Sequence, residues 1–333
     1  MDWIESLVLG VVQGLTEFLP ISSDGHLNTI QHLFERLTGR RQTEADKIFF
    51  DVMLHVGTLL AIVFHYRSVA IEGARGLLGS EEVPASSRRS AVIRVGILAV
   101  IATLPLIPLK LFFMDLIENA FHSLTATGVG FLITAAVLLV NARLKGASKG
   151  PNEMTWLDAL LVGIAQMLAP LPGVSRSGMT ITAALALGFS RTWAVGFSLL
   201  IAVPAILGAT AFEILKVDPA TMTPDRVAQI IASAALAGVI GYLAITWLVR
   251  LVQLGRLWYF SVYLIALGIA LIATDSLGKG GTDARPSHAL DRPLRGGPAL
   301  GGDRAGGAGD VHALAGPLAD GPRSGVPLVG DRR

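Results

Sequence analysis

Six apolar runs, each close to the length that crosses a bilayer, dominate this chain and leave few folds open to it. They cover 48–66, 90–113, 124–143, 191–215, 226–249 and 257–274, and roughly 20 apolar residues in helical form span a hydrocarbon core. Inside that core every backbone amide must find its partner within the structure, so runs of this length read as helices. The expected fold class is therefore an all-α polytopic membrane protein. Composition agrees, with 52% hydrophobic and 16% charged residues, where a soluble domain carries about a quarter charged. The formal charge of +2 gives no reason to expect a nucleic-acid partner, and the lack of cysteine excludes disulfides and thiolate metal sites. The first twenty residues hold Asp2 and Glu5 and no basic cluster, so they do not read as a cleavable signal peptide. Pro204, inside the fourth run, predicts a kink.

Two further apolar segments are interrupted. Segment 3–36 is broken by Glu17, Pro20, Ser22, Ser23, Asp24, Gly25 and His26. Segment 156–188 is broken by Pro170, Pro172, Gly173, Ser175, Arg176, Ser177 and Gly178. Each reads as helix, polar break, helix, and a matched pair of interrupted segments points to a binding site near the membrane midplane. Both are expected to be re-entrant hairpins. A shift of 153 residues aligns them, pairing Trp3 with Trp156, Gly10 with Gly163, Gln13 with Gln166, Ser22 with Ser175 and Gly25 with Gly178. Three spans separate the hairpins, so they enter from opposite faces, as in an inverted-topology repeat. The expected domain is 1–274, with one repeat over about 1–143 and the other over 156–274. From 275 to 333 no aromatic residue occurs and about a third of the residues are Gly or Pro, so this tail is expected to be disordered; His288 and His312 in it receive no role. The loops at 67–89, 142–156 and 250–256 share one face and are the richer in Arg and Lys, which makes that face cytoplasmic.

The chemistry gathers at the two breaks. Gln13 and Glu17 lie i, i+4 on one helix face. A carboxylate in an apolar segment costs about 2.5–3.5 kcal/mol at the bilayer centre and is a functional candidate by default. With the Gln13 amide oxygen it suits an incomplete cage for a hard cation such as Mg²⁺. Ser22 and Ser23 can cap the next helix, and His26 follows within its first turn; a hydroxyl near an imidazole can form a nucleophile–base pair, or the imidazole can activate a water. In the second break Gly173 and Gly178 permit tight turns. The Arg176 guanidinium suits phosphate oxygens, and Ser175, Ser177 and Thr180 add donors. Together the tips would form a cation-plus-arginine clamp for a polyanion. Plainer readings stand beside these. Glu17 and Arg176 could simply pair, the serines could only cap helices, Gln13 could hydrogen-bond across helices, and Asp24 could be a second cap. His32, His55, His65 and His122 read as packing or interfacial residues, and Asp51 as an interfacial charge.

The strings Gly10-Val-Val-Gln-Gly-Leu-Thr-Glu-Phe-Leu-Pro-Ile-Ser-Ser-Asp-Gly-His26 and Pro172-Gly-Val-Ser-Arg-Ser-Gly-Met-Thr180 resemble the two motifs of the undecaprenyl-pyrophosphate phosphatase family, also known for bacitracin resistance. Phe50-Asp51-Val-Met-Leu-His-Val-Gly57-Thr58 also looks familial, and the resemblance covers about 1–274. It implies hydrolysis of undecaprenyl pyrophosphate to undecaprenyl phosphate and inorganic phosphate, which recycles the lipid carrier for cell-wall synthesis. It further implies an inner-membrane enzyme opening to the outer, periplasmic side and dependent on a divalent cation, Mg²⁺ or Ca²⁺. By position, Gln13 and Glu17 would serve the cation, and Ser23 or a water would attack with help from His26. Arg176, Ser175 and Thr180 would hold the diphosphate, with Ser22, Ser177, Gly173 and Gly178 lining the substrate site. Gln13 departs from the Glu of many members, and Asp24 from a common Thr. The oligomeric state is open, a homodimer included.

Two rival functions remain at this level. A lipid-carrier transporter or flippase, alone or combined with hydrolysis, would also use inverted repeats. The Pro-Ser-Gly-His string of the acid-phosphatase-like lipid phosphatases superficially resembles Ser23-Asp24-Gly25-His26, but Ser175-Arg176 is not followed here by their His and Asp.

Overall fold

The computed structural model describes residues 2–40, 42–80, 82–215 and 222–283. Among them the chain is helical, with no strand beyond an isolated bridge between Lys149 and Phe189. The helices are α1 (Trp3–Thr16), α2 (Ser23–Thr38), α3 (Glu44–His65), α4 (Arg67–Leu77), α5 (Arg89–Thr103), α6 (Leu106–Phe112), α7 (Met114–Phe121), α8 (Leu124–Asn141), α9 (Trp156–Gln166), α10 (Arg176–Ala186), α11 (Arg191–Ile214), α12 (Pro224–Gln253) and α13 (Tyr259–Asp283).

Six segments are long and apolar enough to cross a membrane: Ala45–His65, Arg89–Leu109, Leu124–Asn141, Arg191–Ile214, Pro224–Gln253 and Tyr259–Leu277. They match the six predicted runs, and the chain is a multi-pass membrane protein. Two boundaries differ from expectation. The second run ends its first helix at Thr103, because Pro105 has no N–H to continue the ladder, and resumes as the short α6 and α7. The last helix stays helical through Asp283, beyond the expected limit at 274. α11 is helical on both sides of Pro204. The remainder of the predicted tail, with His288 and His312, lies outside the described residues.

Helix pairing follows a pattern. α1 packs on α12 and α9 on α5; α3 packs on α12 and α11 on α5; α3 meets α11, and α8 meets α13. Without a hydrophobic force between helices in lipid, such contacts rely on close backbone approach at small residues. A Cβ on Gly10 would lie 2.7 Å from the Ser233 carbonyl oxygen of α12, and one on Gly163 would strike the Ala102 carbonyl of α5. These are the two glycines that the 153-residue shift superposes. Large apolar side chains such as Phe18, Phe131, Phe189 and Phe197 fill the space between these contacts and are fully buried.

Candidate active site

Each interrupted segment ends its first helix on a side chain that the site uses or that the shift relates to one. α1 starts from Asp2, whose carboxylate accepts the Glu5 amide at 2.8 Å, and ends with Glu17 at its C-cap. After the turn around Pro20, Ser22 caps α2 by accepting the Gly25 amide at 3.3 Å; its φ of 69° places a non-glycine residue in the left-handed region, a strained geometry that costs about 1–3 kcal/mol. α9 opens with a capping box: Thr155 Oγ1 accepts the Asp158 amide at 3.2 Å and Asp158 Oδ2 accepts the Thr155 amide at 2.7 Å. Ser175 then caps α10, its Oγ accepting the Gly178 amide at 3.1 Å.

The two turns touch. Ser177 Oγ donates to the Leu19 carbonyl at 3.2 Å, and a Cβ on Gly25 would lie 2.7 Å from Gly173 Cα. α8 braces both. Thr134 Oγ1 donates to the Gly173 carbonyl at 2.8 Å and accepts the Ser175 amide at 2.9 Å, while Asn28 Nδ2 donates to Thr127 Oγ1 at 3.0 Å. Gly173 has φ 86°, and a Cβ there would collide with the Thr127 carbonyl. The glycine thus lets this turn pack its backbone directly on α8.

At this junction Glu17, 3% exposed in its side chain, is the hub. Its Oε1 accepts from Arg176 Nη2 at 2.5 Å. Its Oε2 accepts from Ser23 Oγ at 2.6 Å and from Gln13 Nε2 at 3.0 Å, and lies 3.3 Å from His55 Nε2. Residues from both interrupted segments and from the α3 span therefore meet on one carboxylate. Arg176 is 17% exposed and so keeps an open side next to the buried acid. Paired with a polyanion, such a fork can hold phosphate oxygens in two parallel hydrogen bonds.

Several expected site residues are placed otherwise. His26 makes no hydrogen bond with the Ser22 or Ser23 hydroxyl. Its Nδ1 lies 2.7 Å from the Ser22 carbonyl and its Nε2 2.7 Å from the Tyr263 hydroxyl, and its ring packs against Phe131 and Tyr263. Thr180 is fully buried, with its hydroxyl 2.8 Å from the Arg176 carbonyl and 2.6 Å from Ser198 Oγ, so it supports Arg176 from behind. Ser177 and Ser175 lie 3.2 Å apart and both serve the turn. A Cβ on Gly178 would meet Ser175 and Pro20, so this residue is part of the junction.

His55, read from sequence as a packing or interfacial residue, instead reaches Glu17 Oε2 and lies 3.7 Å from Asp24 Oδ1. Asp51, read as an interfacial charge, accepts from Gln31 Nε2 at 2.8 Å. The signal that finds them is the one that finds Gln13 and Glu17. Asp51 and His55 are two polar residues one helical turn apart within a spanning run.

Among the described residues no group of three or more His, Asp or Glu side chains forms a metal cage. The donor chemistry nonetheless fits a hard cation shared with phosphate. Gln13 is fully buried, its Oε1 has no hydrogen-bond partner, and it stands beside the Glu17 carboxylate. An unpaired buried amide oxygen costs about 1–3 kcal/mol, and an oxygen-seeking ion completed by substrate oxygens would satisfy it.

The sequence model described as bacitracin resistance protein BacA matches residues 6–270. Undecaprenyl-diphosphatase of Carboxydothermus hydrogenoformans is 34% identical over 281 residues, covering 84% of this chain and 100% of the relative. Undecaprenyl-diphosphatase of Alkaliphilus metalliredigens is 34% identical over 280 residues, 82% of this chain and 98% of its own. Undecaprenyl-diphosphatase 4 of Bacillus cereus is 34% identical over 272 residues, 82% and 97%. With both interrupted segments and all six spans inside or nearly inside the matched region, the chain belongs to the bacitracin resistance protein BacA family.

Proposed function

We propose that this protein hydrolyses undecaprenyl pyrophosphate to undecaprenyl phosphate and inorganic phosphate, and so returns the lipid carrier to cell-wall synthesis. The names of its relatives support the substrate. One structural observation carries the chemistry: Glu17 from one interrupted segment holds Arg176 of the other on Oε1 and the Ser23 hydroxyl on Oε2.

Arg176 and Glu17 form an ion pair across the two turns. An entering diphosphate competes with Glu17 for Arg176, and the guanidinium turns its fork to the phosphate oxygens. That exchange leaves Glu17 Oε2 on Ser23 Oγ at 2.6 Å, placed to take its proton as the oxygen attacks the terminal phosphorus. The bond from that phosphorus to the bridging oxygen breaks, and undecaprenyl phosphate leaves with the bridging oxygen. Water then hydrolyses the phosphoseryl group and releases phosphate. A water in place of the Ser23 hydroxyl would use the same carboxylate in one step. Glu17 is better placed than His26 for the proton, since both His26 ring nitrogens face other partners. A divalent cation, Mg²⁺ or Ca²⁺, held by Gln13 and Glu17, would neutralise charge on the phosphates when bound.

The setting supports action at a lipid. At 1.5 Å per residue the 14 residues of α1 and 11 of α9 reach about 21 and 17 Å, short of the roughly 30 Å core. Both therefore suit re-entrant helices that stop at the depth of the site. The exchanged packing of α1 on α12 and α9 on α5 supports an inverted repeat. The Arg- and Lys-rich loops favour a site opening away from the cytoplasm, in the bacterial inner membrane.

The test is phosphate release from undecaprenyl pyrophosphate by detergent-purified protein, with the lipid product identified by mass. Formation of undecaprenyl phosphate with one phosphate per lipid supports the proposal. Intact lipid after prolonged incubation with excess Mg²⁺ or Ca²⁺ refutes it and leaves the carrier function.

A further inference from the structure

Glu17 has one neighbour that the scheme above leaves without a task. His55 projects from α3, and its Nδ1 lies 2.7 Å from the backbone carbonyl of Asp51. A carbonyl oxygen only accepts, so Nδ1 carries a proton. Nε2 faces Glu17 Oε2 at 3.3 Å and Asp24 Oδ1 at 3.7 Å. The ring edge thus lies within ion-pair range of two carboxylates, and a proton on Nε2 would let it donate to Glu17. The anchor is itself held, because Gln31 Nε2 of α2 donates to Asp51 Oδ1 at 2.8 Å.

Asp24 shows why such a bridge matters. It follows Ser23 directly, and its side chain is 34% exposed against 3% for Glu17 and 17% for Arg176. A carboxylate on the open side of an anion site repels the anion unless a cation engages it. Glu17 has a matching need once Arg176 turns to the phosphate, for its carboxylate then loses the guanidinium that fixes its orientation.

We propose that His55 is a positioning residue of this site: from α3 it clasps the Glu17 and Asp24 carboxylates, keeping Glu17 aimed at Ser23 after Arg176 leaves it and holding Asp24 away from the incoming diphosphate. The inference rests on the reading that a lipid diphosphate is hydrolysed at this cluster. A packing histidine would stabilise the protein but would not be coupled to Asp24.

The test is a double-mutant cycle on the full chain in detergent, at one saturating concentration of Mg²⁺. Wild type, His55→Ala, Asp24→Asn and the double variant are compared for kcat and KM of phosphate release and for melting temperature. His55→Ala is expected to raise KM at least about tenfold and to lower kcat. Adding Asp24→Asn is expected to recover KM by at least about fivefold, as coupled neighbours do, without restoring kcat. His55→Gln, which keeps an N–H but not the charge, carries the same comparison where the alanine variant does not fold. Equal KM in wild type and both His55 variants, or no recovery of KM on adding Asp24→Asn, overturns the proposal. A wild type inactive on the lipid would refute the hydrolase reading instead. The clasp would then be judged by inorganic diphosphate binding, where His55→Ala must weaken affinity and Asp24→Asn must restore it.

Discussion

Replacing Glu17 by Gln separates the two tasks assigned to this side chain. The substitution keeps shape and can still accept from Ser23, but it removes the charge that holds Arg176 at 2.5 Å and faces His55 at 3.3 Å. Breaking a buried ion pair by neutralising one partner typically costs about 3–5 kcal/mol. Arg176 keeps 17% of its side chain exposed, so water recovers part of that and about 2–3 kcal/mol is a fair expectation. The melting temperature in detergent should fall accordingly. The same unpaired guanidinium no longer has to be taken from an acid, so inorganic diphosphate should bind more tightly, by about tenfold for each 1.4 kcal/mol of competition removed. Phosphate release should nevertheless drop by about a hundredfold or more, because the proton acceptor for Ser23 is gone. Calorimetric titration of wild type and Glu17→Gln with diphosphate in EDTA, beside turnover with cation present, measures both effects. Weaker diphosphate binding by the variant in EDTA would refute the competition, and turnover near wild type would refute the base role.

Other substitutions probe the surroundings. Gly173→Ala combines a left-handed backbone with a collision against the Thr127 carbonyl, and should cost about 2–5 kcal/mol in thermal stability. An unchanged melting temperature would contradict the contact between the second turn and α8. Thr180→Val leaves the Ser198 hydroxyl and Arg176 carbonyl short of a partner, and should lower stability by about 1–3 kcal/mol while KM stays within about threefold. A large rise in KM with normal stability would return Thr180 to the substrate. Tyr263→Phe removes the partner of His26 Nε2 and should cost about 1 kcal/mol with kcat kept within about tenfold; complete loss of turnover in a folded variant would place His26 in the chemistry after all.

Much of the fold was legible because lipid allows so few solutions. An apolar run of 20 residues must be a helix there, and the six expected spans match those of the structure. The break near Thr103 was not foreseen, since hydropathy registers Pro105 as one neutral residue while the backbone registers a missing donor. In the site, Glu17 and Arg176 stood out as charges at breaks in apolar segments, and the structure joins them. What the local strings could not give was direction. His26 sits one turn from Ser22, yet its ring turns to Tyr263, which is 237 residues away in sequence. Thr180 follows Arg176 by one turn and so bonds back to its carbonyl. His55 carried a signal, since it lies one helical turn from Asp51 inside an apolar span, but its partner did not show in the string; the packing of α3 brings it to Glu17.

In the proposed hydrolysis Arg176 and Glu17, carried by two separate interrupted segments, handle one diphosphate. The most direct measurement is the initial rate of phosphate release from undecaprenyl pyrophosphate by Arg176→Ala beside wild type, both shown folded by melting temperature. The variant should be slower by about two orders of magnitude or more, near 2.7 kcal/mol of lost transition-state stabilisation. A folded Arg176→Ala that turns over at the wild-type rate would contradict it.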